Sequence, residues 1–227
     1  MTTSPRPIVY VTPVLPWPAD QGSRLFQLEA ARALASVGPV TWITRTLGDQ
    51  SGAEAHRRAE GFELRLDRSF ASRSPWARAR RRVRIDAAAR WRGEPREPHF
   101  VSSPGICARV RDAARRMPDA WFVGAYWSTV HALREAPPGR RVLLAADVES
   151  VAAAKGLELV GADGRARQEA ARLRDAETKA FGDVDHLLCL TAEDEASAAR
   201  VLAERGGRRT PRIGRWPTGL PMPTPFD

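Results

Sequence analysis

Short apolar runs rich in β-branched residues alternate along residues 7–216 with longer segments of helical periodicity. The first run is Ile8–Val11, and Val40–Thr44 follows a helical stripe that begins at Arg24 and stops at Gly38-Pro39. Two strands joined through a helix run parallel, and such helices then cover the faces of the sheet. The alternation therefore predicts a single doubly wound, Rossmann-like α/β domain: one parallel sheet with helices on both faces.

The same alternation continues beyond these elements. Further strands are predicted at Phe62–Leu66, Ala120–Gly124, Arg141–Ala146, His186–Leu190 and Pro211–Trp216. Helices are predicted at Pro75–Arg92, Pro104–Arg116, Ser128–Arg134, Arg165–Phe181 and Ala192–Glu204. Four prolines among residues 217–227 then exclude a helix or a central strand, because proline fixes φ and removes a backbone donor. We expect a domain over residues 1–216 and a proline-rich linker over residues 217–227.

Composition narrows the class of protein. Apolar residues make up 43% of the chain, which is enough for a full core. The net charge of +9 has two interpretations: a G+C-rich genome that favours Arg codons, or attraction to phosphates or an anionic membrane. Cys107 and Cys189 fit no disulfide or metal spacing, and Cys189 lies in an apolar run that predicts a buried, inert thiol. With no signal peptide or membrane span apparent, we expect a cytoplasmic protein, soluble or peripheral to the membrane.

The loop that leads into the first helix is one candidate binding site, because ligands bind at the carboxyl ends of parallel strands. Gly22 permits close approach of a ligand, and Ser23 or Asp20 can cap the helix. The N–H groups of the helix and the charge of Arg24 suit a phosphate. The alternative is an ordinary capped helix without a ligand.

Two further loops follow predicted strands. Asp147 and Glu149, separated by one residue, could contact sugar hydroxyls, or one of them could act as a base. The alternative is that Asp147 or Ser150 caps the next helix. At Thr191 and Asp194 the spacing indicates a capping pair, so we expect these residues to cap the following helix rather than to bind a ligand.

Several enzyme classes lack their sequence signatures. Gly22 is the only glycine in its turn, so the dinucleotide fingerprint is absent, and no Gly-Lys-Ser/Thr occurs. No Gly-x-Ser-x-Gly elbow occurs either. The four histidines, His56, His99, His131 and His186, show no metal spacing. The sequence therefore predicts neither a nicotinamide cofactor nor a metal.

An arginine-rich helix is predicted in the middle of the chain. Residues 73–92 contain eight arginines, and an apolar stripe of Trp76, Val83, Ala87 and Trp91 repeats at helical spacing. One interpretation is a patch that binds an anionic membrane or phosphates, formed by Trp76, Arg78, Arg81 and Arg82. The other is a solvated helix whose stripe faces the core. No motif indicates specific nucleic-acid binding.

Taken in order, several segments resemble GT-B glycosyltransferases of the family 4 type. The resemblance runs through Pro16–Arg24, Leu28, Ala33-Leu34, Gly38–Thr41, Asp147–Ser150, Leu173, Glu177, Asp185–Thr191, Asp194 and Arg215–Leu220. The last segment is similar to the one that joins the two domains of the family. The chain departs from the family at Ala125-Tyr126-Trp127, where a histidine is often present.

The resemblance implies the N-terminal, acceptor-side half of an enzyme that transfers a sugar from a nucleotide sugar to an acceptor. Asp20, Gly22, Ser23 and Arg24 would border the sugar-nucleotide phosphates, and Asp147 and Glu149 would lie near the interdomain cleft. The donor would be a substrate, and no cofactor or metal is expected. A separate C-terminal domain is the implied partner, without which the chain would be inactive. The alternative function is a non-catalytic module that binds an acceptor or an anionic membrane.

Overall fold

The chain forms one parallel sheet. The computed structural model describes residues 5–17, 19, 21–46, 61–68, 74–160, 163–205 and 210–216. Its strands are β1 (Ile8–Val11), β2 (Val40–Arg45), β3 (Glu63–Asp67), β4 (Trp121–Ala125), β5 (Arg141–Ala145), β6 (His186–Cys189) and β7 (Arg212–Arg215). Within this part of the chain they make a seven-stranded sheet in the order β3-β2-β1-β4-β5-β6-β7. All six pairings are parallel, which confirms the predicted fold class.

The described residues also form helices between most of these strands. The described helices are α1 (Gly22–Ala35), α2 (Pro75–Arg92), α3 (Arg96–Val101), α4 (Pro104–Arg116), α5 (Val130–Leu133), α6 (Glu149–Val160), α7 (Gly164–Gly182) and α8 (Ala192–Arg205). A 3-10 turn at Trp127–Thr129 precedes α5. The Thr191 Oγ1 accepts the Asp194 N–H at 3.0 Å, so the predicted cap of α8 is confirmed. Neither α3 nor the extent of α6 was predicted.

Both faces of the sheet are buried. Val9 and Val11 lie in one core cluster with Phe122 and the α4 residue Val110. Ile8 and Tyr10 lie in a second cluster, on the face covered by α1. Alternate side chains of one strand point to opposite faces. The strands therefore read as nearly continuous apolar runs, as expected for a parallel sheet covered by helices on both sides.

The order of the strands reverses between β1 and β4. From β1 the chain passes through α1 to β2 on one side, whereas β4 and the strands after it lie on the other side. The connections diverge at this point, so the carboxyl ends of β1 and β4 leave a crevice between them. In the part of the chain described here, no helix is both long and apolar enough to cross a membrane.

Candidate functional site

The N-terminus of α1 borders the crevice. Gln21 occupies the N-cap position, and its side chain makes no capping hydrogen bond. Gly22 and Ser23 are exposed, and Arg24 is half-buried. Ser23 lies inside the first turn, so the interpretation of Ser23 as the helix cap is wrong; Asp20 lies outside the described residues. The helix therefore presents N–H groups and partial positive charge without a side-chain cap from Gln21.

Tyr126 closes the opposite side of the crevice. It follows β4 with φ at 69°, a left-handed conformation that is unusual for an aromatic residue and often marks a functional site. Its hydroxyl donates to the Ser23 carbonyl at 3.4 Å, which joins the end of β4 to α1. Burial raises the pKa of Tyr126 to about 12, and the carboxylates of Asp147 and Glu149 contribute to the rise. The phenol thus keeps its proton near neutral pH.

The acidic loop after β5 lies beside Tyr126 and Trp127. The Trp127 Nε1–H donates to Glu149 Oε2 at 2.8 Å, while Asp147 is exposed. Burial raises the pKa of the Glu149 carboxyl, with a further contribution from Asp147. The pKa of Glu97 is raised by burial and by Glu149 in turn. Three carboxyl groups therefore share this end of the sheet.

The cap of α6 comes from a distant helix. Glu177 on α7 accepts the Glu149 N–H at 2.8 Å and the Ser150 N–H at 3.1 Å, and also contacts the Ser150 hydroxyl. The interpretation in which Asp147 or Ser150 caps this helix is therefore wrong. Glu177 holds the start of α6 and so places Glu149 against Trp127.

The structure thus links one residue of each predicted binding loop, Ser23 and Glu149, to two adjacent aromatic side chains. Ser23 contacts Tyr126, and Glu149 contacts Trp127, so both loops meet at the end of β4. Sequence reasoning noted Tyr126 and Trp127 only as a departure from a family pattern. No sequence spacing identifies these two residues as part of a site, because their partners Ser23 and Glu149 are brought to them by the order of the strands.

A separate cavity of about 800 Å³ lies between α2 and α4. Five arginines contribute to its wall: Arg80, Arg81, Arg84, Arg92 and Arg134. The predicted patch on α2 is thereby divided, since Arg81 lines this cavity whereas Arg78 and Arg82 are exposed. Trp76 and Trp91 are 85% and 92% exposed, and Val83 is 66% exposed. The apolar stripe does not face the core, so that interpretation is wrong.

Glu94, His99 and His131 come together at the edge of this cavity. The Glu94 Oε2 lies 3.0 Å from His99 Nε2 and 3.1 Å from His131 Nε2. Burial lowers the pKa of His131 to about 3, with contributions from Arg134, His99 and Arg92, and burial also lowers the pKa of His99. These three side chains could hold a metal ion. The four histidines show no metal spacing in the sequence, but spacing along the chain does not report a contact between three separate segments.

Solved structures, but no family model and no curated protein, are similar to this chain. No protein-family model matches the chain, and the curated proteins contain no match. UGT2 of Phytolacca americana, solved with UDP-2fluoro-glucose and pterostilbene, is similar with 13% identity and a TM-score of 0.50. UGT71G1 of Medicago truncatula, solved with UDP-glucose, is similar with 11% identity and a TM-score of 0.50.

These matches cover 97% and 96% of this chain, but only 55% and 54% of the two solved chains. The protein thus spans about half the length of the structures it resembles. At this level of identity the likeness shows the fold alone. The chain has the Rossmann-like α/β fold found in GT-B glycosyltransferases.

Proposed function

We propose that this chain is the N-terminal, acceptor-side half of a family 4 type glycosyltransferase, which transfers a sugar from a nucleotide sugar to an acceptor. One observation carries the proposal: the start of α1, Tyr126 and Glu149 meet at the crevice where the strand order reverses. Open α/β sheets bind ligands at this position. The fold likeness to UDP-glycosyltransferases supports the same conclusion.

The residues of the crevice suit the parts of such a substrate. The first N–H groups of α1, at Gly22 and Ser23, would donate hydrogen bonds to the phosphates, and Arg24 would add a formal positive charge. Asp147 and Glu149 would accept hydroxyl groups of a sugar or an acceptor, since carboxylates are strong hydrogen-bond acceptors. The proposal needs no metal or cofactor in the crevice for the transfer step.

The proposed partner is a separate C-terminal domain that supplies most of the donor site. Residues 1–216 would form the acceptor-side domain, and residues 217–227, which lie outside the described part of the chain, would form the linker. The chain would then bind UDP-glucose weakly by itself. Isothermal titration of the chain with UDP-glucose tests this division, and micromolar affinity of the chain alone would contradict it.

Transfer from radiolabelled UDP-glucose would be measured for the chain alone and after mixing with a GT-B C-terminal domain. We expect transfer only in the mixture, with a loss of at least about tenfold for Glu149→Gln, because the carboxylate that faces Trp127 is removed. Glu158→Gln, an exposed change on the same helix, is the matched control and should keep full activity. Equal activity of both variants would contradict the role of Glu149.

A second candidate function is supported by α2. Trp76 and Trp91 are almost fully exposed beside exposed arginines such as Arg78 and Arg82. Tryptophan and arginine together favour the surface of an anionic membrane, where each basic side chain contributes about 1 kcal/mol. The chain would then lie at the cytoplasmic face of a membrane, as an acceptor-binding module or as part of the transferase.

Co-sedimentation with vesicles tests this second function. We expect binding to phosphatidylserine-containing vesicles, weaker binding in high salt, and little binding to pure phosphatidylcholine. Replacing Trp76 and Trp91 by Ser should reduce the bound fraction, whereas Leu159→Ser, at an 88% exposed apolar residue on α6, should not. Binding that ignores lipid charge, salt and both tryptophans would refute membrane association through α2.

A further inference from the structure

Three donor atoms converge beside the arginine-lined cavity, outside the crevice. Glu94 follows α2, His99 lies on α3 and His131 lies on α5, so three parts of the chain contribute one side chain each. Their donor atoms all lie within 4.8 Å of one another. The two imidazole rings are 4.7 Å apart between centroids, with an angle of 62° between their planes.

The contacts between these side chains are short but poorly aligned for hydrogen bonds. Glu94 Oε2 and His99 Nε2 are buried and have no aligned hydrogen-bond partner among the described residues, although they lie 3.0 Å apart. The exposed fractions of the Glu94, His99 and His131 side chains are 12%, 8% and 9%. A buried polar atom without a partner is unfavourable by about 1–3 kcal/mol. A cation held between the three atoms would remove this penalty.

The two separations measured from Glu94 Oε2 are compatible with a transition-metal ion. Ligands about 2.1 Å from an ion lie about 3.0 Å apart at neighbouring octahedral positions and about 3.4 Å apart in a tetrahedron. The observed separations of 3.0 and 3.1 Å are close to the octahedral value. Two imidazoles and one carboxylate are ligands for Zn²⁺ or Fe²⁺, whereas Ca²⁺ and Mg²⁺ prefer a shell of oxygens.

The cavity provides room for another ligand. His99 and His131 both line it, together with Arg92 and Arg134. Arg134 is paired with Asp183 at 2.5 Å, so part of its charge is already balanced. A divalent ion would add positive charge to a cavity with five guanidinium groups. The favoured additional ligand is therefore an anion, which would satisfy both the ion and the arginines.

We propose that Glu94, His99 and His131 bind one divalent transition-metal ion, which keeps an open coordination position toward the arginine-lined cavity and accepts an oxyanion there. This site is separate from the proposed transfer crevice, and its binding test involves no nucleotide sugar. Failure of the metal site would leave the proposed transferase function untouched, and the reverse also holds.

Titration of the full chain with Zn²⁺ tests the site. We expect one equivalent to bind, and we expect at least tenfold weaker affinity in Glu94→Gln and in His131→Gln. His186→Gln is the matched control, because His186 lies on β6 against Trp121 and belongs to neither the cluster nor the cavity wall. Circular dichroism would show that each variant is folded. No bound ion in the wild type, or unchanged affinity in both ligand variants, would overturn the proposal.

Cobalt provides a spectroscopic check. We expect the visible absorption of bound Co²⁺ to shift when sulfate replaces chloride at equal ionic strength, because an oxyanion enters the open position. The same replacement should tighten Co²⁺ binding, since coupling between two ligands is reciprocal. Arg92→Gln should reduce both effects. If neither the spectrum nor the affinity responds to sulfate, the ion has no open position toward the cavity.

Discussion

Glu177 connects two helices at the carboxyl edge of the sheet. It is fully buried, and it accepts two backbone N–H groups at the start of α6. A carboxylate at a helix N-terminus also interacts favourably with the helix dipole. The position of Glu149 in the proposed crevice therefore depends on a residue 28 positions away in the sequence.

Glu149 should make stability depend on pH. Its pKa is raised in the folded protein, chiefly by burial, so the protonated form favours folding. This contribution is complete below the unfolded pKa of about 4.3 and is lost as pH rises through the folded pKa. In urea denaturation, the free energy of unfolding of the wild type minus that of Glu149→Gln should therefore decrease from acidic to neutral pH.

Glu193→Gln provides a control of opposite sign. The partner Lys155 lowers the pKa of Glu193, so the favourable contribution of this exposed carboxylate is present above the unfolded pKa and is lost on acidification. The wild-type minus Glu193→Gln difference should increase, slightly, with pH. If both differences changed in the same direction, the predicted shift at Glu149 would be wrong.

Gly124 permits a close approach within the core. A Cβ atom there would lie 2.8 Å from the Leu133 Cδ1 and even closer to the Thr129 hydroxyl, which is held by a hydrogen bond to the Tyr126 carbonyl. Gly124→Ala should lower the free energy of unfolding by about 1–3 kcal/mol through overpacking. The control is Gly214→Ala on β7, where the nearest atom is 3.7 Å away. Denaturation of both variants measures the difference, and equal stability would contradict the steric argument.

At the scale of single elements, α2 shows how local signals define a helix without deciding which face packs. Ser74 accepts the Ala77 N–H at 3.4 Å, Pro75 begins the helix, and Gly93 ends it in the left-handed region with φ at 63°. A serine hydroxyl can accept a free N–H group of the first turn, and proline has the φ angle of a helix and lacks an N–H group that would need a partner there. Glycine adopts positive φ without strain. Ala89 is the only residue of the helix that is buried.

Replacement by alanine should change the free energy of unfolding in opposite directions at two glycines, one that ends a helix and one inside a helix. Gly93→Ala should lower the free energy of unfolding by about 1 kcal/mol, because alanine is strained at positive φ. Gly156→Ala in α6 should raise it by about 0.5–1 kcal/mol, because alanine favours helix and nothing lies within 4 Å of the new Cβ. Thermal or urea denaturation measures both. A gain in stability from Gly93→Ala would contradict the assigned helix end.

At the scale of the whole molecule, the strand order should determine local stability. β1 and β4 each pair with strands on both sides, and both are buried. β7 lies at one edge of the described sheet and has partly exposed side chains. Amide hydrogen exchange should therefore be slowest in β1 and β4 and faster in β7. Equal protection across the three strands would show that the sheet does not open from its edges.

Local regularities explain why much of the fold is predictable from the sequence. Ile8–Val11, the stripe of α1 and the Thr191 cap each depend on residues within a few positions of one another. The short α3 was not predicted, because six residues carry too little periodicity. The direction of the α2 stripe was equally undetermined, since an apolar stripe can face either a core or a partner.

The sequence by itself determined the alternation of strands and helices, and with it the parallel sheet, because hydrophobic periodicity and capping act locally. Only the tertiary structure decided that Ser23 and Glu149 meet through Tyr126 and Trp127, and that Glu94 contacts two histidines. The physical reason is strand order. Spatial neighbours in a doubly wound sheet come from distant segments, and no spacing within one segment records their contact.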